Sequence, residues 1–254
     1  MSGPIARAGR GDERGMIPRA IEQIFAECES NKAKGWKYEC TASFLEIYNE
    51  EIRDLLADET TSPTMKGKLV EKPYQIKLVK VGNSMDTIVT DLKSVQVSSA
   101  ADVEPLLVQA NGNRAMAETK CNDHSSRSHS VFQLKINGSN AFNGQQSFGV
   151  LNLIDLAGSE RLKQSMAESD RLQETKAINK SLSSLGDVIA ALANKDKHVP
   201  YRNSKLTFLL QNCFGGDSKT LMLVNLSPSI DSLQESVCSL RFASKVNTCQ
   251  ITRK

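Results

Sequence analysis

Two short polar stretches carry the residues that could do chemistry in this chain. The first, Asp155-Leu-Ala-Gly-Ser-Glu160, follows the apolar run Gly149–Ile154. An apolar run that ends in Asp and small residues is typical of a buried strand that delivers a carboxylate to a phosphate or metal site at the carboxyl end of an α/β sheet. Gly158 has no Cβ, so its backbone N–H can approach a phosphate closely.

The second stretch, Asn122-Asp-His-Ser-Ser-Arg-Ser-His129, is unusually dense in hydroxyl groups. A hydroxyl such as that of Ser126 can ligate magnesium, and Arg127 can pair with Glu160. The two stretches together are typical of the sensing half of a nucleotide switch. The other half would be a glycine-rich loop that cradles phosphates, G-x-x-x-x-G-K-[ST]. No such sequence occurs in these 254 residues.

Composition excludes several classes of protein. The net charge of +3 is too small to indicate a nucleic-acid partner by itself. The six cysteines show no C-x-x-C spacing, so neither a zinc site nor a disulfide framework is predicted. No apolar run approaches the roughly 18 residues of a membrane span, so no membrane partner is expected. We expect a soluble, intracellular protein.

Hydrophobic periodicity predicts alternating helices and strands in one α/β domain. Helical spacing predicts helices at 16–34, 50–57, 98–119, 171–194, 201–214 and 231–246. Alternation and apolar runs predict strands at 36–48, 74–81, 85–89, 129–137, 148–155 and 220–226, of which 129–137 and 148–155 should pair antiparallel. Residues 1–15 are predicted as a surface loop, and 90–97 as a connector.

The two polar stretches and several further motifs, in the order in which they occur, resemble those of kinesin motor domains. Asn122–His129 is similar to the switch I motif N-x-x-S-S-R-S-H, and Asp155–Glu160 matches the switch II motif D-L-A-G-S-E. His198–Thr207 resembles the microtubule-binding loop and the helix after it. Further kinesin signatures are Phe44-Leu-Glu-Ile-Tyr-Asn-Glu50, Asn179-Lys-Ser-Leu-Ser-Ser-Leu185 and Leu240-Arg-Phe-Ala243.

The subclass that the sequence resembles is the C-terminal-motor kinesins, class fourteen, on the basis of Gly35–Glu39 and Arg241–Cys249. Motors of that class usually move toward microtubule minus ends and dimerise through a coiled coil upstream of the motor. The resemblance implies a kinesin-type P-loop NTPase fold, with a central mixed sheet and helices on both faces. It also implies that residues 1–254 are a partial motor domain that starts just after the P-loop and lacks the first strands.

The resemblance implies ATP and Mg²⁺ as cofactors and gives each switch residue a role. Ser126 would ligate Mg²⁺, Ser125 would hold the attacking water, and Asp155 would bind Mg²⁺ through water. Gly158 would meet the γ-phosphate through its N–H. Asn122 would orient switch I, and a salt bridge between Arg127 and Glu160 would close the site.

Microtubule binding is the second activity that the resemblance implies. The resemblance also implies that the protein is located in the cytoplasm on the cytoskeleton, including the spindle. Tubulin is acidic, so a local basic patch can dock there despite the small net charge. The implied contacts are Lys163, Lys195, Lys197, Arg202 and Lys205.

Three alternatives remain open at this stage. The parent protein is a microtubule-stimulated ATPase, of which this chain is a shortened form that is inactive alone. Alternatively, the chain is a nucleotide-free, kinesin-like microtubule-binding or regulatory subunit. In the third alternative, the start of the sequence is an artefact and the isolated chain is not stably functional. In kinesins the P-loop strand lies beside the Asp155 strand, so its absence predicts poor folding or aggregation.

Overall fold

The computed structural model describes residues 14–57, 74–81, 84–118, 127–158, 169–215 and 217–249. The chain divides into two compact units. The first takes in residues 1–46, 52–73 and 91–156, and the second takes in 47–51, 74–90 and 157–254. The predicted loop at 1–15 lies almost wholly outside the described residues.

The first unit is built on a five-stranded sheet. Its strands are β1 (Trp36–Tyr48), β2 (Glu51–Asp54), β5 (Val95–Val97), β6 (His129–Asn140) and β7 (Gln146–Asp155). The order is β2-β1-β6-β7, and β5 pairs antiparallel with β1. The predicted antiparallel pairing of the strands at 129–137 and 148–155 is confirmed, and β6 runs three residues further than predicted.

Two helices cover one face of this sheet, α1 (Met16–Lys32) and α2 (Ala100–Glu118). Their apolar side chains form one core cluster with residues of β1, β5 and β6 and with two leucines that follow β2. It consists of Ile17, Ile21, Cys40, Ala42, Phe44, Leu55, Leu56, Val97, Val103, Leu107, Ala110, Phe132 and Leu134. The chain leaves α1 at Gly35, whose φ is +85°. A Cβ there would lie 2.6 Å from the Phe142 ring, so glycine is required.

The second unit contains a hairpin and a group of helices. Strands β3 (Ile76–Val81) and β4 (Ser84–Val89) pair antiparallel. The helices are α3 (Ser169–Ala193), α4 (Lys205–Leu209) and α5 (Leu233–Thr248), and α3 packs against both α4 and α5. None of the helices in the described ranges is both long and apolar enough to cross a bilayer.

The helix predicted at 50–57 is wrong, because this segment contains β2. A turn at Asn49 and Glu50, both with positive φ, folds the chain back so that β2 pairs with β1. Pairing with an existing strand therefore overrides the helical spacing of Ile52, Leu55 and Leu56. The connector predicted at 90–97 likewise contains β5, which pairs with β1 over three residues.

Two other elements also differ from their prediction. The helix predicted at 201–214 is broken into a 3₁₀ turn at Tyr201–Asn203, α4, and a second 3₁₀ segment at Leu210–Phe214. Ser204 is extended and caps α4, which interrupts any continuous helix. The strand predicted at 220–226 has no ladder partner among the described residues, and its Leu221 is 83% exposed.

Candidate functional site

The described parts of the two polar motifs meet at one end of the β6–β7 pair. β6 begins at His129, directly after Arg127 and Ser128, and β7 ends at Asp155. Ser130 lies opposite Asp155 in the antiparallel register. The sheet therefore places the Asp155 carboxylate beside the exit of the hydroxyl-rich loop, as a phosphate-sensing pair of segments requires.

Several predicted site residues lie outside the described part of the chain: Asn122, Ser125, Ser126, Glu160 and Lys163. The predicted salt bridge between Arg127 and Glu160 and the hydroxyl ligand of magnesium therefore stay predictions. Arg127, Asp155 and Gly158 are described, and each is half-buried.

Asp155 is the one carboxylate of the two motifs that lies in the described ranges, and it suits an ion that keeps most of its water. In the described ranges no three His, Cys, Asp or Glu side chains form a metal-binding group. Mg²⁺ retains several waters and is bound by one or two carboxylates together with substrate phosphates. Asp155, half-buried at the carboxyl end of a strand, fits that use, and it would hold Mg²⁺ through water.

His129, the last residue of the first motif, is buried where β6 begins. Burial lowers the pKa of His129 from 6.5 to about 4. Its imidazole is therefore neutral at physiological pH and supplies no positive charge to a phosphate.

The sequence did not predict a buried network of one carboxylate and two guanidinium groups, which is hydrogen-bonded to Ser128. The Glu46 side chain on β1 is 1% exposed and has two guanidinium neighbours, Arg114 Nε at 3.4 Å and Arg53 Nη1 at 3.8 Å. Arg114 Nη2 also donates a hydrogen bond to Ser128 Oγ, at 3.1 Å. The network links β1, β2 and α2 to the residue just before β6. Its signal in the sequence is Glu46, a charged residue between Leu45 and Ile47 inside a strand.

The predicted basic residues of the second unit lie around the end of α3 and the start of α4. Lys195, Lys197 and Arg202 are exposed, and Lys205 is half-buried as the first residue of α4. The Arg202 guanidinium carbon lies 5.5 Å from the centre of the Phe208 ring, in a cation–π contact.

Hydrogen bonds to the backbone fix the chain at both helix ends that carry these basic residues. Lys195 has a φ of +57°, and its N–H donates to the Leu192 carbonyl as α3 ends. At the start of α4, Ser204 and Thr207 form a capping box. Both ends are therefore ordered surfaces rather than loose loops.

A comparison with family models identifies the chain. The model described as the kinesin motor domain matches residues 1–249. The chain belongs to the kinesin motor domain family. The predicted resemblance and the kinesin-type α/β fold class are confirmed by this match and by the solved kinesin structures that it resembles.

Kinesins of the C-terminal-motor class are among the relatives of this chain. Kinesin-like protein KIN-14M of Arabidopsis thaliana is 56% identical over 247 residues, which are 97% of this chain and 33% of that protein. Carboxy-terminal kinesin 2 of Xenopus laevis is 55% identical over 240 residues, 94% of this chain and 36% of that protein. The chain spans about a third of the length of these curated relatives.

Solved kinesin structures have the same fold. The C-terminal motor and motor homology domain of Kar3Vik1, fused to a synthetic heterodimeric coiled coil, superposes with a TM-score of 0.79 at 46% identity. That match covers 94% of this chain and 58% of the solved chain.

Proposed function

We propose that the protein carrying this chain is a microtubule motor that couples ATP hydrolysis to movement. The observation that carries the proposal is the register of β6 and β7, which brings Arg127 and Asp155 to the same end of the sheet in a kinesin-family chain. By the class it resembles, the motor moves toward minus ends, dimerises through a coiled coil, and works on the cytoskeleton, including the spindle.

The chemistry that we assign to the first unit is positioning rather than covalent catalysis. Bound Mg²⁺–ATP would supply the phosphoryl group and the charge that neutralises it. Asp155 would orient the waters of Mg²⁺, with Ser126 as hydroxyl ligand, Ser125 holding the attacking water and Asn122 orienting the loop. Arg127 would close the site by forming a salt bridge with Glu160, and the Gly158 N–H would contact the γ-phosphate.

Filament binding is assigned to the basic residues of the second unit. Lys195, Lys197 and Arg202 are exposed, so their charges are available to an acidic partner. We assign Lys163 and Lys205 to filament binding as well. Complementary charge of this kind steers association and weakens with salt.

The test of filament binding is co-sedimentation of the chain with polymerised tubulin over a salt series. We expect binding that weakens with salt, and an affinity at least tenfold lower for the Lys195→Glu/Lys197→Glu double variant. Lys32→Glu/Lys34→Glu is the matched control, because it reverses the same number of charges at lysines that are also exposed but lie in the first unit. Absence of sedimentation, or an equal loss in the control, contradicts the assignment.

Nucleotide use is tested separately, by titration of Mg²⁺–ATP into the chain and into the whole protein. The 254 residues contain no G-x-x-x-x-G-K-[ST] sequence, so we expect the whole protein to bind ATP and the chain alone to bind it weakly or not at all. Tight binding by the chain alone would contradict the need for that loop. Gliding of polarity-marked microtubules on the whole protein tests the direction of movement.

A second candidate function is a nucleotide-free, kinesin-like microtubule-binding or regulatory subunit. The exposed basic residues of the second unit favour it, since a surface of this kind does not depend on nucleotide. Filament binding by the whole protein without any stimulated ATPase activity would support this candidate over the motor.

A further inference from the structure

The turn between β1 and β2 has an unusual backbone. Asn49 and Glu50 are consecutive residues with φ values of +50° and +59°. Two-residue hairpin turns of type I′ need positive φ at both positions and favour Asn-Gly, so Glu at the second position is disfavoured. Such conformations persist where surrounding contacts determine them, which makes the contacts of Glu50 informative.

Those contacts join two helices of the second unit. Glu50 Oε2 accepts a hydrogen bond of 3.1 Å from the backbone N–H of Lys205, the first residue of α4. The same oxygen lies 4.0 Å from Lys180 Nζ on α3. The Glu50 side chain is 22% exposed, whereas Lys180 is 58% exposed, so the carboxylate is the more enclosed member of the pair.

The two elements held in this way are the ones that present the basic residues. α3 ends just before Lys195 and Lys197, and α4 starts at Lys205, directly after Arg202 and its 3₁₀ turn. One carboxylate thus contacts the backbone at the start of α4 and a side chain on α3. Because the backbone bond is to Lys205 itself, loss of the carboxylate would remove the bond that ties Glu50 to the start of α4 and would leave only the capping box of Ser204 and Thr207 there.

We propose that Glu50 is a positioning residue for the filament-binding surface, which it serves by holding the first turn of α4 against α3. The proposal rests on the proposed function for its binding role. Glu50 itself does not contact the filament; it holds the start of α4 in the position from which Arg202 and Lys205 contact it.

Variants at Glu50 and Glu51 separate the effects of the Glu50 charge, of its hydrogen bond to Lys205 and of its position in the turn. Glu50→Ala removes both contacts, and Glu50→Gln keeps an oxygen acceptor for the Lys205 N–H but loses the charge. Glu51→Ala is the matched control, since Glu51 is the adjacent, exposed glutamate. Lys180→Met, alone and combined with Glu50→Gln, measures the coupling of the pair in a double-mutant cycle.

The measurements are hydrogen exchange of the amides of residues 204–209, affinity for polymerised tubulin, and thermal melting. For Glu50→Ala we expect at least tenfold faster exchange at Lys205 and at least fivefold weaker filament binding. We expect the melting temperature to match that of Glu51→Ala. Glu50→Gln should keep most of the amide protection, lose part of the affinity, and serve as the readable variant if Glu50→Ala does not fold.

Two results would overturn this inference. Unchanged exchange at Lys205 in both variants shows that Glu50 does not position α4, whether or not tubulin binds. Faster exchange with filament affinity equal to that of Glu51→Ala shows a purely structural role. If the unsubstituted chain and the whole protein both fail to bind tubulin, the proposed function fails as well, and the exchange result still decides whether Glu50 positions α4.

Discussion

Loss of the Glu46 carboxylate should destabilise the first unit. Its carboxylate is enclosed with Arg53 and Arg114, which also holds Ser128. Removing one partner of a buried ion pair leaves the others uncompensated and typically costs about 3–5 kcal/mol. We therefore expect Glu46→Gln to lower the free energy of unfolding by roughly 3 kcal/mol, measured from urea midpoints.

The control for Glu46 is an ion pair on the surface. Glu29 and Lys32 are both well exposed on α1, and exposed pairs contribute little because solvent screens them. Glu29→Gln should leave the urea midpoint unchanged. A Glu46→Gln variant as stable as Glu29→Gln would show that the guanidinium groups do not depend on this carboxylate.

His129 should make stability depend on pH. Burial lowers its folded-state pKa to about 4 from 6.5, so between these values the unfolded chain binds the proton and the folded chain does not. Its contribution is complete above pH 6.5 and is lost as pH falls toward 4. Between pH 7 and pH 4.5 the loss is about 2 kcal/mol, at 1.36 kcal/mol per tenfold step.

A His129→Asn variant should lose this part of the pH dependence, whatever its absolute stability. Urea unfolding at pH 7 and pH 4.5 measures the difference for each protein. His198→Asn is the control, because His198 is exposed. If the two variants show the same pH dependence as the unsubstituted chain, His129 is protonated in the folded state.

At the scale of elements, β7 presents an edge that should promote association. β6 pairs with it on one side, and no strand in the described ranges pairs with the other. Phe148 is 54% exposed, and Val150 is exposed too. An exposed apolar edge strand offers unpaired backbone groups to another chain. We expect concentration-dependent association, which light scattering after size exclusion will measure.

A lysine at this edge should reduce association, since charged edge residues oppose strand pairing. Val150→Lys is therefore expected to shift the chain toward monomer. Val108→Lys on α2 makes the same change at an exposed apolar residue of a helix, where there is no free edge. An equal effect of the two variants would place the association elsewhere.

Elements with a strong local pattern were predictable from the sequence, and elements that depend on a neighbour were not. The helix at Met16–Lys32 and the strands at Trp36–Tyr48 and Gln146–Asp155 follow their periodicity closely. β2 was mistaken for a helix because its pairing with β1 is not visible in four residues. The segment 220–226 has strand composition, yet composition alone does not supply a ladder partner.

The candidate site shows the same division. Asp155 at a strand end and Arg127 beside it follow from motif and strand pattern, and the structure brings their segments together. The roles of Glu46 and Glu50 were not predictable, since each depends on a partner far along the chain: Arg114 lies 68 residues from Glu46, and Lys205 lies 155 residues from Glu50. Sequence spacing carries no information on such contacts.

For the whole molecule, the division into two units bears on how the chain unfolds. The first unit has a continuous core between its sheet and two helices. In the second unit, α5 has no buried residue, and its Leu233 and Leu240 are more than half exposed. Apolar burial is the main source of stability, so we expect the second unit to be the less stable one.

Urea unfolding followed by two probes should therefore give transitions that do not coincide. Trp36, the only tryptophan of the chain, lies in the first unit, so its fluorescence reports that unit. The helices α3 and α5 lie in the second, and their loss appears in the far-ultraviolet circular dichroism. We expect part of the ellipticity to disappear at a lower urea concentration than the tryptophan signal.

A Trp36→Phe/Phe242→Trp variant moves the fluorescent probe to α5, and its midpoint should then match the earlier phase. Coincident transitions for both probe positions would show instead that the two units unfold as one cooperative body.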